Sequence, residues 1–182
     1  MIERISTKDL LVKSLKDLAK TKSIDKITIK EITENCGLSK RLFYNYFQDK
    51  RELVLYEYTE NISSVFCEEN KDLSWNFLMY KALKNITDNY DYYKNAFLVF
   101  DNSSHPLGSM KLAANNAFEE FIKLKYNLDE LSEEESFALK IYTYGIWFYG
   151  IEWITKGMPI NAKKLSNYLE SSLPCVITKY MI

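Results

Sequence analysis

Apolar residues recur at helical spacing along almost the whole chain. In residues 7–21, Leu11, Leu15 and Leu18 form one stripe, because residues three and four positions apart lie on the same face of a helix. Comparable patterns predict further helices over 74–90, 93–100, 109–124, 134–156 and 161–173, with a loop over 101–108. Only five glycines and three prolines interrupt the 182 residues, which favours long helices over sheets. The pattern therefore predicts an all-α fold.

Two short helices joined by a tight turn are predicted between residues 27 and 47. Thr28 can cap the first helix through its hydroxyl, and Glu31 can complete a capping box with it. Gly37 can adopt the left-handed backbone conformation that ends this helix, and Ser39 can cap the next one. The apolar side of the second helix consists of Leu42, Phe43 and Phe47. This is the layout of a helix-turn-helix motif, whose second helix lies in the major groove of DNA.

The polar side of the second helix carries groups that can bind DNA. Base contacts are predicted for Lys40, Arg41, Tyr44 and Asn45. Lys40 and Arg41 can donate to guanine, and the amide of Asn45 can pair with adenine. Phosphate contacts are predicted for Thr28, Ser39, Tyr46 and Lys50, partly because backbone N–H groups at helix starts help to hold an anion. The alternatives are that the two tyrosines are core residues, that Lys40 and Arg41 form a solvated basic face, and that Thr28 only caps its helix.

Several short motifs in this region match a known family. They are Thr28 with Ile32, Gly37-Leu38-Ser39-Lys40, Phe43-Tyr44-x-Tyr46-Phe47 and Asp49-Lys50-x-x-Leu53. Together they resemble the DNA-binding domain of TetR/AcrR-type bacterial transcriptional regulators, over roughly residues 5–56. The resemblance implies the same base and phosphate roles for the residues above. Arg41 departs from the pattern, because a small residue is common there.

The net charge changes sign along the chain. Residues 1–52 hold 12 Lys and Arg against 8 Asp and Glu, a net charge of +4, whereas residues 53–182 hold 12 against 17, a net charge of −5. A basic N-terminal segment followed by an acidic C-terminal region suits a nucleic-acid-binding protein with a separate regulatory domain. We therefore predict a helix-turn-helix DNA-binding domain over 1–52 and a regulatory and dimerisation domain over 53–182, connected by a helix that Asp49 caps.

The helix predicted over 134–156 is apolar on two sides, and both sides must then be buried. Because the domain is small, a second subunit is predicted to cover one side, with the last helix completing a four-helix dimer interface. The residues predicted at this interface are Phe148, Trp153, Leu165, Leu169 and Ser172. The family resemblance implies the same location. Residues Gly150, Trp153 and Met158-Pro159-Ile160 also resemble the branch that activates dihydroxyacetone kinase genes.

Aromatic residues of the C-terminal region could line a cavity for a planar or lipophilic effector. The candidates are Tyr93, Phe97, Phe100, Phe118, Phe121, Tyr142, Trp147 and Tyr149. The alternative is ordinary core packing, since aromatic residues at helical spacing are commonly core residues. The sequence identifies no effector, which could be a small molecule or a protein.

Other classes of protein are disfavoured by what the sequence lacks. It contains none of the motifs HExxH, GxSxG, GxxxxGK[ST] or GxGxxG, so no enzyme activity and no cofactor are predicted. Its three cysteines, Cys36, Cys67 and Cys175, lack metal-ligand spacing, so no metal site is predicted. No signal-peptide pattern and no apolar stretch of about 20 residues occurs, which predicts a cytoplasmic protein without a membrane span.

Two functions remain after these exclusions. The first is a homodimeric transcriptional regulator that binds a pseudo-palindromic, double-stranded DNA operator and responds to a ligand or partner. The family resemblance implies repression more often than activation. The second is a helical protein-interaction adaptor or co-activator that binds DNA weakly.

Overall fold

The structure is a computed structural model that describes residues 5–101 and 106–181, except for the side chains of 98–101 and 106–108. These residues form ten α-helices, two short 3₁₀ turns and no strand, which confirms the all-α prediction. The helices are α1 (Thr7–Ala19), α2 (Ile29–Asn35), α3 (Lys40–Tyr44), α4 (Lys50–Val65), α5 (Trp75–Asp88), α6 (Tyr90–Asp101), α7 (Pro106–Tyr126), α8 (Glu133–Thr155), α9 (Ala162–Ser171) and α10 (Cys175–Thr178). The 3₁₀ turns are Ile24–Lys26 and Glu68–Asn70.

Side-chain caps start most of the helices where the sequence predicted them. The N–H of Leu42 donates to the hydroxyl of Ser39 at the start of α3. The carboxylate of Asp49 accepts from two N–H groups in the first turn of α4, and Asn161 caps α9. Ser6 caps α1, where its hydroxyl accepts from the N–H of Asp9. These contacts satisfy N–H groups that a helix start would otherwise leave unpaired.

The predicted boundaries differ from the structure in the second half of the chain. The loop predicted over 101–108 is shorter, because α6 includes Asp101 and α7 begins at Pro106, while residues 102–105 lie outside the described part. Helix α8 ends before Gly157, whose φ of +76° suits a residue without a Cβ atom. Helix α9 ends at Ser171, and the short α10 after Pro174 was not predicted.

The chain divides into two compact units. The first contains residues 1–58 and 89–107, and the second contains residues 59–88 and 108–182. Helix α6 therefore belongs with the three N-terminal helices, and the division of α4 falls after Tyr58. The predicted functional boundary after residue 52 stays a prediction.

The core of the first unit consists of apolar residues from α1 to α4 and α6, among them Leu11, Leu15, Ile32, Phe43 and Leu53. The core of the second unit is centred on aromatic rings. Phe66 lies 5.2 Å from Trp75 and 4.6 Å from Phe118, measured between ring centroids. The N–H of Trp75 donates to the hydroxyl of Tyr142, which in turn donates to the carbonyl of Leu169. This chain of contacts ties α5, α8 and α9 together within the second unit.

Candidate nucleic-acid interface

Helices α1, α2 and α3 are fixed to one another by buried polar and apolar contacts. The hydroxyl of Ser14 donates to the carbonyl of Ile32 over 2.7 Å, and the amide of Asn35 donates to that hydroxyl over 3.1 Å. Gly37 has a φ of +70° in the turn between α2 and α3, the left-handed conformation that the sequence predicted. Phe43 of α3 is fully buried. The opposite side of α3 is therefore held at a fixed orientation.

That opposite side is polar and open to solvent. Lys40, Arg41, Tyr44 and Asn45, the four residues predicted to contact bases, are all exposed. Asn45 lies at the C-terminal cap of α3, where its N–H donates to the carbonyl of Arg41. The structure thus places the four side chains on the accessible part of one short helix. Their contacts with bases stay a prediction.

Tyr44 and Tyr46 are not core residues. Tyr44 is 57% exposed and Tyr46 is 42% exposed. The ring of Tyr44 also makes an edge contact with the ring of Phe43, with 5.6 Å between their centroids. An exposed phenol can reach a base or a phosphate. The alternative that these tyrosines only pack in the core is therefore wrong. Ser39, another predicted phosphate contact, is also exposed.

The side chain of Thr28 forms hydrogen bonds within the domain. Its hydroxyl accepts from the N–H of Glu31 and donates to the Glu31 carboxylate, which also accepts from the N–H of Thr28. Lys22 donates to the same carboxylate over 2.5 Å. The hydrogen bond from Lys22, with those from Thr28, lowers the pKa of Glu31 to about 2. A negative charge therefore lies at the start of α2, beside the predicted phosphate contact.

Lys50 is also engaged within the domain. Its Nζ donates to the carbonyl oxygens of Ile24, Asp25 and Ile27, over 2.8, 2.7 and 2.9 Å. Burial lowers the pKa of this ammonium, although Asp25 and Asp49 act in the opposite direction. These carbonyls lie in the turn between α1 and α2. A pattern of side chains could not reveal this contact, because the partners are backbone atoms more than 20 residues earlier.

A buried ionic cluster in the first unit was not predicted. Lys16 of α1 lies 2.5 Å from the carboxylate of Glu57 on α4, and the hydroxyl of Tyr93 on α6 donates to that carboxylate over 3.0 Å. Glu57 is only 5% exposed. The ammonium of Lys16 also lies 5.3 Å from the ring centroid of Tyr92. The sequence signal for this cluster is weak, because a Lys and a Glu beside apolar stripes ordinarily mark a solvated face.

The residues predicted to line an effector cavity have different surroundings. Tyr93 and Phe97 are buried in the first unit, and their rings stack. Phe118, Phe121 and Tyr142 belong to the aromatic core of the second unit, with ring contacts to Phe66 or Trp75. Trp147 is buried in the same unit, whereas Tyr149 is exposed. The side chain of Phe100 lies outside the described residues. An effector cavity stays a prediction.

The predicted dimer interface is partly surface and partly core. Phe148 is 62% exposed and Ser172 is exposed. By contrast, Leu165 and Leu169 are buried, and Trp153 is 1% exposed and donates its N–H to the carbonyl of Ile160. The assignment of Trp153, Leu165 and Leu169 to a surface contact was therefore wrong, because their own chain buries these side chains.

Other apolar residues on α8 and α9 are exposed although the sequence did not assign them to the interface. They are Phe137, Ile141 and Tyr168. Phe137, Ile141 and Phe148 share one face of α8, which is one of the two apolar sides that the sequence predicted for this helix. Beside them, a groove of about 420 Å³ lies between α8 and α9, lined mainly by apolar groups that include Ile141, Ile146 and Tyr168.

The described ranges 5–101 and 106–181 contain neither a candidate metal site nor a candidate membrane span. No group of three or more His, Cys, Asp or Glu side chains in these ranges is arranged to hold a metal ion. None of the helices in them has the length and apolar character needed to cross a membrane.

Comparison with known proteins identifies the N-terminal region. Residues 11–56 match the family model of bacterial regulatory proteins, tetR family. A relative is the HTH-type dhaKLM operon transcriptional activator DhaS of Lactococcus lactis subsp. lactis (strain IL1403), which is 23% identical over 105 residues. The match covers 58% of this chain and 56% of that protein, little more than half of its length.

Two solved structures share the fold over nearly the whole chain. The dihydroxyacetone kinase operon activator DhaS superposes with a TM-score of 0.70 at 20% identity, covering 93% of this chain and 95% of that one. A TetR transcriptional regulator from Rhodococcus sp. RHA1 has a TM-score of 0.69 at 14% identity, with coverage of 93% and 96%. The match over residues 11–56 confirms the resemblance found in the sequence: this region is a helix-turn-helix domain of the tetR-family type, and the chain shares the all-α fold of TetR regulators.

Proposed function

We propose that the protein is a homodimeric regulator that binds a pseudo-palindromic operator through the exposed side of α3. The observation that carries the proposal is the division of α3 into a buried side at Phe43 and an exposed polar side. Lys40, Arg41, Tyr44 and Asn45 form that side and are proposed to contact base edges. A helix of this kind enters the major groove with its first residues directed at the bases.

Phosphate contacts are proposed for Ser39 and Tyr46, which are both exposed near the ends of α3. Such contacts fix the register of a protein on the duplex without reading its sequence. The side chains of Thr28 and Lys50 were also predicted to contact phosphates. They are omitted from the proposed set, because their polar atoms already form hydrogen bonds within the domain.

The dimer is proposed to form through the exposed apolar faces of α8 and α9. Phe137, Ile141 and Phe148 are three large apolar side chains that share the exposed face of α8, and a contiguous patch of this kind marks a contact surface. Pairing α8 and α9 with their copies would give a four-helix interface with two-fold symmetry. Two-fold symmetry also suits two half-sites about 34–36 Å apart, one helical turn of DNA.

The regulatory step is proposed to be a change in operator affinity when an effector binds. An effector acts in this way only if it binds one arrangement of the dimer better than another. The relative from Lactococcus lactis is named as a transcriptional activator. That name favours activation here, whereas the family resemblance alone favoured repression. A reporter gene placed behind the selected operator distinguishes activation from repression.

The proposal is tested by selecting genomic fragments that the purified protein retains and by measuring affinity as a function of salt. We expect a pseudo-palindromic motif and a binding constant that falls steeply with salt, because Lys and Arg side chains displace counterions from phosphates. Arg41→Ala should weaken selection. Lys140→Ala removes the same charge from an exposed position on α8 and should leave selection unchanged.

A wild-type dimer that shows neither a selected motif nor salt-dependent binding would contradict this proposal. It would favour the adaptor function that the sequence left open.

A further inference from the structure

The ammonium group of Lys50 closes the turn in front of α2. Lys50 is the first residue of α4, and its Nζ contacts the carbonyl oxygens of Ile24, Asp25 and Ile27 at 2.7–2.9 Å. A protonated lysine has three N–H donors and no acceptor. The three carbonyls therefore occupy its full donor capacity. In this arrangement, none of its donors is left for a phosphate oxygen.

The three contacted carbonyl groups belong to a turn that supplies few hydrogen-bond donors of its own. Ile24–Lys26 forms one 3₁₀ turn, and the carbonyl groups at the end of so short a helix have few backbone N–H partners. A charged donor forms stronger hydrogen bonds than a neutral one. The half-buried position of Lys50 strengthens them further, because less water competes for the same carbonyls.

The clamped turn leads directly into the polar contacts at the start of α2. Ile27 precedes Thr28, which forms the capping box with Glu31. Glu31 is in turn bound by Lys22, on the other side of the turn. A continuous set of hydrogen bonds therefore connects the first residue of α4 to the first residues of α2. Loss of the ammonium would remove the hydrogen bonds by which Lys50 of α4 holds the turn in front of α2.

We propose that Lys50 is a positioning residue that fixes the start of α2 to the start of α4, and that it does not bind a phosphate. The proposal rests on the proposed DNA-binding function, because the position of α2 determines how α3 is presented to DNA. It replaces the phosphate contact that the sequence predicted for Lys50. Its first consequence is a property of the free protein and needs no DNA.

Hydrogen exchange of the free, full-length protein tests the clamp. In Lys50→Met, the N–H groups of Ile27 and Thr28 should exchange at least about tenfold faster, because the turn that holds them opens more often. The N–H of Phe47, which donates to the carbonyl of Phe43, should exchange as in wild type. Lys50→Arg keeps a long cationic donor and should restore slow exchange.

Arg51→Met is the matched control, since it removes the same charge from the next, exposed position. It should leave the exchange of both N–H groups unchanged. Lys50→Gln retains a neutral donor and should give an intermediate rate, so it replaces Lys50→Met if that variant does not fold. Wild-type exchange at Ile27 and Thr28 in Lys50→Met or Lys50→Gln would overturn the proposal.

Salt dependence then separates positioning from phosphate contact. Each phosphate neutralised contributes about 0.9 to the slope of log K against log salt. With random duplex DNA, Lys50→Met should bind more weakly at every salt concentration and keep the wild-type slope, and Lys50→Arg should recover most of the affinity. A slope reduced by about 0.9 in Lys50→Met would overturn the proposal. If wild type itself binds no DNA, the proposed function fails, while the exchange experiment still decides whether Lys50 clamps the turn.

Discussion

Arg41 is the residue whose role in base reading is most open to a direct test. It lies at the second position of α3 and is exposed, and a guanidinium can form two hydrogen bonds with one guanine. Many relatives are expected to carry a small residue there. A long side chain at this position can therefore change which base is preferred without any change in the fold of the domain.

Replacing Arg41 with alanine should relax base preference at one position in each half-site. We expect a loss of about 1–3 kcal/mol in operator binding per half-site, and a much smaller loss on random DNA. Selection of bound sequences from a random pool measures both effects. Lys13→Ala, at an exposed position on α1, is the control. An unchanged motif for Arg41→Ala would show that α3 is docked differently.

Glu135 makes the stability of the folded protein depend on pH in the acidic range. The hydrogen bond from Lys179, together with those from the Ser132 N–H and the Tyr180 hydroxyl, lowers the pKa of Glu135 to about 2 from an ordinary value of 4.5. A carboxyl group with a lowered pKa stabilises the folded state above its ordinary pKa. That contribution is lost as the pH falls from about 4.5 toward the folded value of about 2.

Glu135→Gln should therefore be less stable than wild type at neutral pH, and the difference should shrink as the pH falls below 4.5 toward about 2. Urea unfolding midpoints measured across this range test the prediction. Glu134→Gln changes an exposed residue in the same first turn of α8 and should show no such convergence. A stability difference that is constant with pH would mean that ionisation of Glu135 is not its cause.

At the scale of helices, the residues at which helices begin could be predicted from the sequence. The side of a helix that faces the core could not be predicted in every case. Thr28, Ser39 and Asp49 cap helices as the sequence indicated, because a cap requires only residues within one turn of each other. Helix α8 is apolar on both sides, so its pattern could not decide which side meets its own chain. Trp153 was therefore assigned to the wrong surface.

The proposed DNA-binding site shows the same limit. The exposed side of α3 could be predicted, since Phe43 and Phe47 define its buried side from sequence spacing alone. The contacts of Lys50 depend on carbonyl groups brought close by folding, and no spacing rule reveals them. Glu57 and Lys16 are likewise far apart in sequence and meet only because α1 and α4 are adjacent.

The pair of Lys16 and Glu57 links α1 to α4, and Tyr93 adds α6. Removing one partner leaves the other charge buried without compensation, which costs roughly 3–5 kcal/mol for a fully buried pair. Lys16 is 23% exposed while Glu57 is 5% exposed, so solvent screens part of the interaction. We therefore expect a smaller loss, of about 2–4 kcal/mol, when Lys16 is replaced.

Lys16→Met should lower the free energy of unfolding by that amount, as measured by chemical denaturation. Adding Glu57→Gln should recover part of the loss, because it removes the unpaired charge and still offers an acceptor to the hydroxyl of Tyr93. Lys13→Met, at an exposed position of the same helix, should have little effect. Equal losses in the single and double variants would show that an unpaired charge on Glu57 is not the cause of the loss.

At the scale of the whole molecule, the exposed apolar face of α8 is the surface through which we propose that the protein dimerises. Phe137, Ile141 and Phe148 are each more than half exposed in the single chain, whereas Leu165 and Leu169 are buried. Glutamate at either leucine would therefore test folding rather than association. A test of association has to change side chains that reach the surface without supporting the core.

The paired substitution Ile141→Glu with Phe148→Glu should convert the dimer into a folded monomer. Two charges would lose water on the apolar contact without gaining partners, and each 1.4 kcal/mol lost weakens association about tenfold. Sedimentation at micromolar concentration measures the assembly, and circular dichroism checks the fold. Phe77→Glu, at an exposed apolar position on α5, should remain a dimer. Operator affinity should fall steeply in the monomer, because a single α3 reads only one half-site. Wild type that sediments as a monomer would exclude both this interface and the palindromic mechanism.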